Sequence, residues 1–563
     1  MSLPLPLVLA LMLSLAPPGV ASEDAPPKWG AWIDLEGKAG TQRHLGEADA
    51  FLPLVQDDDT LLFGNARFRF DDQDSLEGNL GLGLRRMLGD GWNLGGYGYF
   101  DRRRSENHEY YNQLTFGAEL LGADFDFRAN SYWPVGDRVK LVDSENTAEL
   151  SGTTVIFRGG EEHALQGFDA EVGWRVPAFE AGGPLELRFY AGGYSFDAED
   201  VPDVTGPRLR AELVAYEVPG LWDGVRVTFG AEWQHDEPRG SQGFLSGRLR
   251  IPLQPERERS RKLTAQERRM TAPIVRDVDV VTQAGDFGPP ETATQTADGS
   301  TITVLSSAGT TGADLPTAVA NAGADSTVIL SGSFATTATT ALQSGQTLMG
   351  AGSLQVRSPS GRVATLTTPS ATINGDTALG TATIEMAANS TLAGMRINDT
   401  DTGGVNSIPV RVTGVSGVTI ANNTLSATTT NGSAQALLVS GVGASNITVS
   451  GNTLTAQATV GGNSIGLNFT NGASGTIANN TITATGAANV RALALGNLNT
   501  TTATVSGNTL SASGGGAFNR AVDFLGTNTV NNGSTGNVLS AGVCNNGGAV
   551  TGSISFTNGT TCP

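Results

Sequence analysis

The chain has 563 residues, a formal net charge of −20 and 74 glycines. That length exceeds one ordinary domain, so at least two are expected, and an acidic chain argues against nucleic acid as a partner because phosphates call for a basic surface. Beyond the N-terminus no apolar run reaches the roughly 18 residues of a membrane-crossing helix, which excludes a helical anchor.

Residues 1–21 read as a secretory signal: PLPLVLALMLSLA is the apolar run, and Gly19 and Ala21 suit the small-residue cleavage positions. The segment Met1-Ser2-Leu3 ahead of it carries no Lys or Arg. From residue 28 the pattern changes to period two. Trp29, Ala31, Ile33 and Leu35 form one face of a first strand. Leu62, Gly64, Ala66, Phe68 and Phe70 alternate with Asn65, Arg67 and Arg69, and Leu76, Leu80, Leu82 and Leu84 with Glu77, Asn79 and Arg85.

The clearest stretch is Trp92–Val135, WNLGGYGYFDRRRSENHEYYNQLTFGAELLGADFDFRANSYWPV. It reads as three strands. Leu94 and Phe100 oppose Asn93, Tyr97, Tyr99 and Asp101; Leu114, Phe116 and Leu120 oppose Gln113, Thr115 and Glu119; Phe125, Phe127 and Trp133 oppose Asp126, Arg128, Asn130 and Tyr132. Further strands fall at 168–176, 185–196, 208–218, 225–233 and 244–251. Segment length, aromatics near the ends and charges on one face argue for a transmembrane barrel over a soluble sandwich. Eleven strands are placed this way. Single-chain barrels have even numbers, so a twelfth is expected in 136–160, where VKLV and TTVIF are candidates. The acidic clusters DDD at 57–59 and DDQD at 71–74 read as turns rather than cation sites.

The strand GGYGYFDRR, its polar loop and LTFGAELLGADFDFRANSYWPV resemble the translocation domain of the inverse autotransporters, the intimin/invasin family. The resemblance covers residues 28–285 and implies a twelve-stranded outer-membrane barrel that carries its passenger on the C-terminal side. It departs from the family in a last strand that ends RLRIPL without a terminal aromatic, and in a long acidic segment at 136–168. The junction 254–300 starts with dense Arg and Glu, then meets Pro273, which suits a short polar helix followed by extended chain. Its pieces ERRM and IVRDVDVVT resemble the family linker that threads back through the pore; a solvated interdomain linker is the plain alternative.

From residue 301 the chain holds seven acids and six Arg, far fewer charges than a globular domain of that size. All seven Trp and all eight Tyr lie earlier. Self-similarity takes over: VTIANNTLSA, ITVSGNTLTA, GTIANNTITA and ATVSGNTLSA place an Asn at 423, 452, 480 and 508, with a weaker copy at Asn537. Ile420, Val449, Ile477 and Val505 stand three before it; Leu425, Leu454, Ile482, Leu510 and Leu539 two after. A further apolar run, such as ALLV or ALAL, fills each interval.

A coil of a right-handed parallel β-helix fits this period, with apolar residues stacked inside and Asn423, Asn452, Asn480, Asn508 and Asn537 as a side-chain ladder at the turn. Asn also tolerates the left-handed backbone of a sharp bend. The motif resembles the coils of pectate-lyase-like β-helices. ADLPTAVANA at 313–322 reads as a capping helix, and Phe469, Phe518 and Phe524 as core. Cys544 and Cys562 are the two cysteines; an isolated pair in an exported protein forms a disulfide, here a cap for the last coil. None of the four His residues lies near enough to make a zinc site with them.

The fold class expected is therefore all-β: signal 1–21, barrel 28–253, pore linker 254–300 and β-helix passenger 301–563. The function expected is an outer-membrane inverse autotransporter that exports and anchors its own passenger as an adhesin or attachment stalk, without cofactor or metal. Its partners are outer-membrane lipid, barrel-assembly and periplasmic chaperone machinery, and a surface ligand on a host, another cell or a polysaccharide. One alternative is a surface-tethered polysaccharide lyase or hydrolase. Asp399, Asp401, Arg396 and Arg411 form its best acid–base cluster, set against simple turn chemistry in NDTDTGG. Another is a porin with a periplasmic β-helix.

Overall fold

In the computed structural model the described residues are 28–563, apart from 217, 219, 222–223, 254–262, 278, 378–380, 402–403 and 515–517. The expected signal, residues 1–21, lies outside them, as does the charged start of the junction. Two compact units divide the chain: Met1–Leu141 with Glu161–Ala284, and Val142–Gly160 with Gly285–Pro563.

The first unit is a closed barrel of twelve antiparallel strands, each bonded to its sequence neighbours, with Trp32–Gly40 paired to Gly240–Pro252 to close the ring. Closure satisfies every strand edge, which lipid could not. The side-chain alternation sets the two faces. In Asn93–Arg104 the polar Asn93 and Asp101 are buried inside, while Leu94 and Phe100 are exposed outside. Leu80, Leu82, Phe229 and Leu245 are each at least 60% exposed, an apolar belt that water would not tolerate and lipid would cover. Aromatics sit toward both rims of this belt. Phe125, Trp174 and Phe189 lie side by side on neighbouring strands near one rim, and Trp133, Phe168 and Trp233 near the other.

Two expectations for the barrel need correction. The twelfth strand is His44–Gln56, not a segment of 136–160. Its outward residues include Gly46, Ala48 and Ala50, too small to register as an apolar face, and Pro53 stands at a bulge. Within 136–160, Val139–Leu141 pairs with Glu161–Ala164, while Thr147–Ser151 and Thr154–Arg158 form a hairpin of the second unit. Trp29 precedes the first strand and is buried rather than lipid-facing; the inward face of that strand is Trp32, Asp34 and Glu36.

The second unit is a parallel β-helix. Each coil supplies three strands. Thr419–Ala421, Ile447–Ser450 and Ser474–Ala478 stack on one face, Thr424–Thr429, Thr453–Ala458 and Thr481–Gly486 on the next, and Ala434–Ser440, Ser464–Thr470 and Val490–Gly496 on the third. Inside, Ile420, Val449, Ile477 and Val505 form one fully buried column and Leu425, Leu454, Ile482 and Leu510 another. Each such side chain contributes about 1.5–3 kcal/mol by leaving water.

Helix Leu315–Ala322 buries Leu315 and Val319 against this core, and the Gln346 amide donates to Val319 O and Gly323 O at its C-terminal end, both 3.0 Å. At the other end Cys544 and Cys562 are bonded with Cα atoms 5.7 Å apart, and the Ile554–Ser555 and Thr561–Cys562 pair closes the last coil. Phe469 and Phe524 are core, but Phe518 is half exposed, with the Arg520 guanidinium over its ring.

Candidate functional site

The site is the barrel lumen, and it is filled by the chain's own continuation. Strand alternation aims Asp, Glu and Arg inward from all round the ring. Buried unpaired charges are costly, so they meet as pairs: Arg85 with Glu119 at 2.5 Å, Arg128 with Glu171 at 2.9 Å, Arg250 with Asp34 at 2.8 Å. Through this ring runs the segment from Thr264 to Thr282.

It starts at one rim as the short helix Ala265–Arg269. Thr264 and Glu267 cap it reciprocally, and Glu267 pairs with Lys28 at 2.9 Å. There the Trp29 indole donates to Glu267 O, and the Gln266 amide to Leu88 O and Trp92 O in a turn between strands. Extended chain follows. Arg85 Nη1 donates to Met270 O at 2.8 Å and Ala272 O at 2.7 Å; Arg250 Nη1 donates to Thr271 O at 2.7 Å and Arg67 Nη2 to Ile274 O at 2.8 Å. The Tyr132 hydroxyl donates to Asp169 and accepts from Asp277 N, while Glu77 accepts from Val280 N at 2.8 Å. At the opposite rim Asp279 pairs with Arg43, in the turn between the first two strands, and Arg103 donates to Val280 O.

The segment's own charges find fixed partners. Arg269 pairs with Asp126, Arg276 with Asp101 at 3.0 Å, and Asp277 lies 3.8 Å from Arg208. Such a lumen can hold a polypeptide in extended form by its main chain and fix its register by these charges. These pairs were not singled out in the sequence. The trace of them in the sequence is the piece VRDVDV after Pro273, in which three charged residues are set among valines.

The second unit places the other candidates. The Asn423 amide donates to Leu392 O at 2.9 Å and to Asn452 Oδ1 at 3.0 Å, and that same Oδ1 accepts from Asn423 N at 2.9 Å. The pattern repeats through Asn452, Asn480, Asn508 and Asn537, all buried. The left-handed residue is not the ladder Asn but the one before it: Asn422, Gly451, Asn479, Gly507 and Gly536 all have φ between 55° and 73°. Over the first four of these Asn and Gly alternate for a reason. A side chain at Gly451 would collide with the Asn422 amide oxygen, and one at Gly507 with that of Asn479.

The four acid–base candidates do not converge. Asp399 and Asp401 point into the coil, Arg396 points out of it, and Arg411 pairs with Glu385 at 2.6 Å on another face. Burial pushes the Asp399 carboxyl above its ordinary range, against hydrogen bonds from Thr383 and Thr377. One buried charge went unread in the sequence: Asp523, fully buried, lies 2.5 Å from Arg491 and 2.8 Å from Arg520. The Asp57 and Asp71 clusters are turns, each carboxylate accepting from backbone N–H groups two to four residues on.

Comparison with known proteins agrees with this architecture. Residues 29–192 match the family model described as inverse autotransporter, beta-domain, and residues 341–539 match a family described only as a protein of unknown function. No curated protein matches the chain. Among solved structures, a chain from work on the in-meso crystallization of membrane proteins is 15% identical, covering 46% of this chain and 100% of that one, with a TM-score of 0.33. The β domain of a Bordetella autotransporter is 11% identical over 40% of this chain and 98% of its own, TM-score 0.24. The NanC porin is 10% identical over 40% of this chain and 100% of its own, TM-score 0.25. Likenesses at this level bear no functional weight. The family match and the closed twelve-stranded ring give the same recognition: an inverse autotransporter β-domain, followed in the chain by a parallel β-helix.

Proposed function

We propose that the barrel translocates the β-helix across the outer membrane and then holds it at the cell surface, where residues beyond about 285 act as an adhesive stalk. The observation that carries this reading is the segment Thr264–Thr282 running from one rim of the lumen to the other. The last strand ends at the rim where the segment begins, since Leu253 N bonds Ala31 O beside Trp29. The chain therefore turns back through its own pore and leaves at the far rim, as a passenger exported through that pore would. The lipid belt makes outer-membrane lipid a partner, and insertion draws on barrel-assembly machinery. The ligand is a surface rather than a small molecule: the coils present rows of Thr, Ser and Asn on flat strands, with few charges.

Protease shaving of intact cells tests it, with an epitope placed after Pro563. Loss of the epitope, with survival of a heat-modifiable N-terminal fragment, supports the reading. Protection of the epitope until the outer membrane is breached places the β-helix in the periplasm and overturns it.

A further inference from the structure

The segment Val142–Gly160 interrupts the barrel meander between strands Phe125–Val135 and Gln166–Arg175, yet it folds as part of the β-helix unit. Its hairpin, Thr147–Ser151 with Thr154–Arg158, lies in a six-stranded sheet beside Pro290–Ala293 on one edge and Val363–Thr368 on the other. We propose that this hairpin is a folding template: a strand-addition surface whose partner is the first segment of this chain's own β-helix, from which the coils then stack in order toward Cys562. The inference concerns the order of folding and is independent of which side of the membrane the coils occupy.

Three observations carry it. The first is an edge completed by the chain that leads into the coils. Thr154–Arg158 is bonded to Thr147–Ser151 on one side only; its other edge is satisfied by Pro290–Ala293, with Val155 opposite Ala293 and Arg158 opposite Pro290. Without that partner the edge would present a row of free N–H and C=O groups, which an extended segment completes by strand addition. Proline, which lacks a donor, stands at the end of the pairing where it costs least.

The second is an apolar face. Val155 and Phe157 are 2% and 0% exposed, and they pack in one cluster with Ile329 and Met349 of the first coils and with Leu366 of the neighbouring strand Val363–Thr368. Val328, Leu330 and Leu348 point into the coil core, so their neighbours Val304, Ile329 and Met349 form an apolar column on its outside. The hairpin covers that outer column, while the helix Leu315–Ala322 packs on the core itself.

The third is a set of polar bonds that fixes the hairpin to its sheet partners, the turn before Val363–Thr368 and the chain entering Pro290–Ala293. Arg362 Nε lies 2.8 Å from Asp143 Oδ1, and Arg362 Nη2 donates to Gly160 O at 2.8 Å. The Asn146 amide donates to Val363 O at 3.0 Å, and Gly288 N to Gly159 O at 2.9 Å.

The physics of each part explains the coupling. A lone two-stranded hairpin is marginal in water, and first coils that leave the outer column Val304, Ile329 and Met349 bare are no better. Each completes the other, so ordering one stabilises the other. The hairpin is also the earlier piece: it precedes its partners in the chain, and its base is closed within itself by Val142 N to Gly160 O at 2.9 Å. Solenoids can nucleate at any coil, so a ready-made end selects one start among several.

Refolding of the full chain from urea into detergent micelles, followed by pulsed hydrogen exchange and mass spectrometry, tests the order. We expect amides of 290–305 and 327–349 to be protected before those of 447–510. Phe157→Asp should delay protection of all coils severalfold while the barrel stays heat-modifiable. Phe157→Ala, which removes packing without burying a charge, should delay it less but measurably. Cys544→Ser with Cys562→Ser, at the far end, should leave the rate of first protection unchanged. Protection that begins at the C-terminal coils, or Phe157 variants that fold at the wild-type rate, would overturn the proposal.

Discussion

Replacing Asn452 by alanine isolates what the buried ladder contributes. The Asn452 amide donates to Ile420 O at 2.8 Å, Ser450 O at 3.0 Å and Asn480 Oδ1 at 2.9 Å, and its Oδ1 accepts from the main-chain and side-chain nitrogens of Asn423. Some of these groups keep a second partner. Ser450 O still accepts from Asn422 N, Asn480 Oδ1 from Asn452 N, and the Asn423 amide still reaches Leu392 O. Ile420 O also lies in the parallel ladder with Ile447–Ser450, so Asn423 N alone is left without its partner. An orphaned buried group costs about 1–3 kcal/mol, so the substitution should cost about that much. In a solenoid that loss is local to the coil and its neighbours. The assay is urea unfolding of the full chain in detergent, with hydrogen exchange read at 418–427 and 447–456. A loss below about 1 kcal/mol with exchange unchanged in those segments would show that the ladder only fills space. Asn452→Asp sharpens the test. It keeps the acceptor toward Asn423 but turns a carboxylate oxygen toward Ile420 O and Asn480 Oδ1. Its folded pKa must rise above the unfolded value, so stability should be greatest at acid pH and fall as pH rises through the folded pKa.

Four further outcomes follow from the same structure. Gly451→Asn should lower coil stability by about 1–3 kcal/mol through collision with Asn422, and adding Asn422→Gly should restore part of it in the same urea assay. Removing the Cys544–Cys562 bond, which closes a loop of separation 18, should cost about 3 kcal/mol by chain entropy and loosen only the last coil, read as new protease cleavage beyond Asn537. Arg85→Ala frees Met270 O and Ala272 O and leaves the buried Glu119 with only the more distant Arg128, at 3.9 Å, a penalty approaching about 3–5 kcal/mol, so the barrel in planar bilayers should show larger or more frequent openings. The Asp399 carboxyl is raised by burial, so its contribution is fully present below the ordinary value of 3.8 and lost as pH rises through the raised one; Asp399→Asn should flatten that decline in thermal melts.

The legible parts of this fold were those where one physical demand repeats. Lipid outside and charge inside imprinted a period of two on Trp92–Val135, and stacking imprinted a fixed spacing on Asn423 to Asn537. His44–Gln56 was illegible because Gly46, Ala48 and Ala50 face lipid without being large, and because Pro53 is tolerated at a bulge. The hairpin at 147–158 reads as strand-forming, but nothing in TTVIF says whether its partner is the ring or the coils. At the lumen, charged residues of the segment could be seen, but not that Arg276 meets Asp101 or Arg269 meets Asp126. Such pairings join positions more than a hundred residues apart and leave no local mark. The four dispersed residues around Asp399 show the reverse error: proximity in sequence set Arg396 beside Asp399 and Asp401, and strand alternation turns Arg396 out of the coil while both carboxylates point in.

One feature of the lumen reaches beyond stability. Most of its grip on the inner segment falls on carbonyl oxygens, of Met270, Thr271, Ala272, Ile274 and Val280. Every residue of every protein carries that atom, so the conduit is nearly blind to the text that slides through it. Deeper than the Glu267–Lys28 pair at the rim, Arg269, Arg276, Asp277 and Asp279 offer it something to read, and the wall has an opposite charge for each. On the export route proposed above, a channel built this way would pass any sequence and park one, and grafting those four charges at the same spacing onto an unrelated extended chain should be enough to set where it stops.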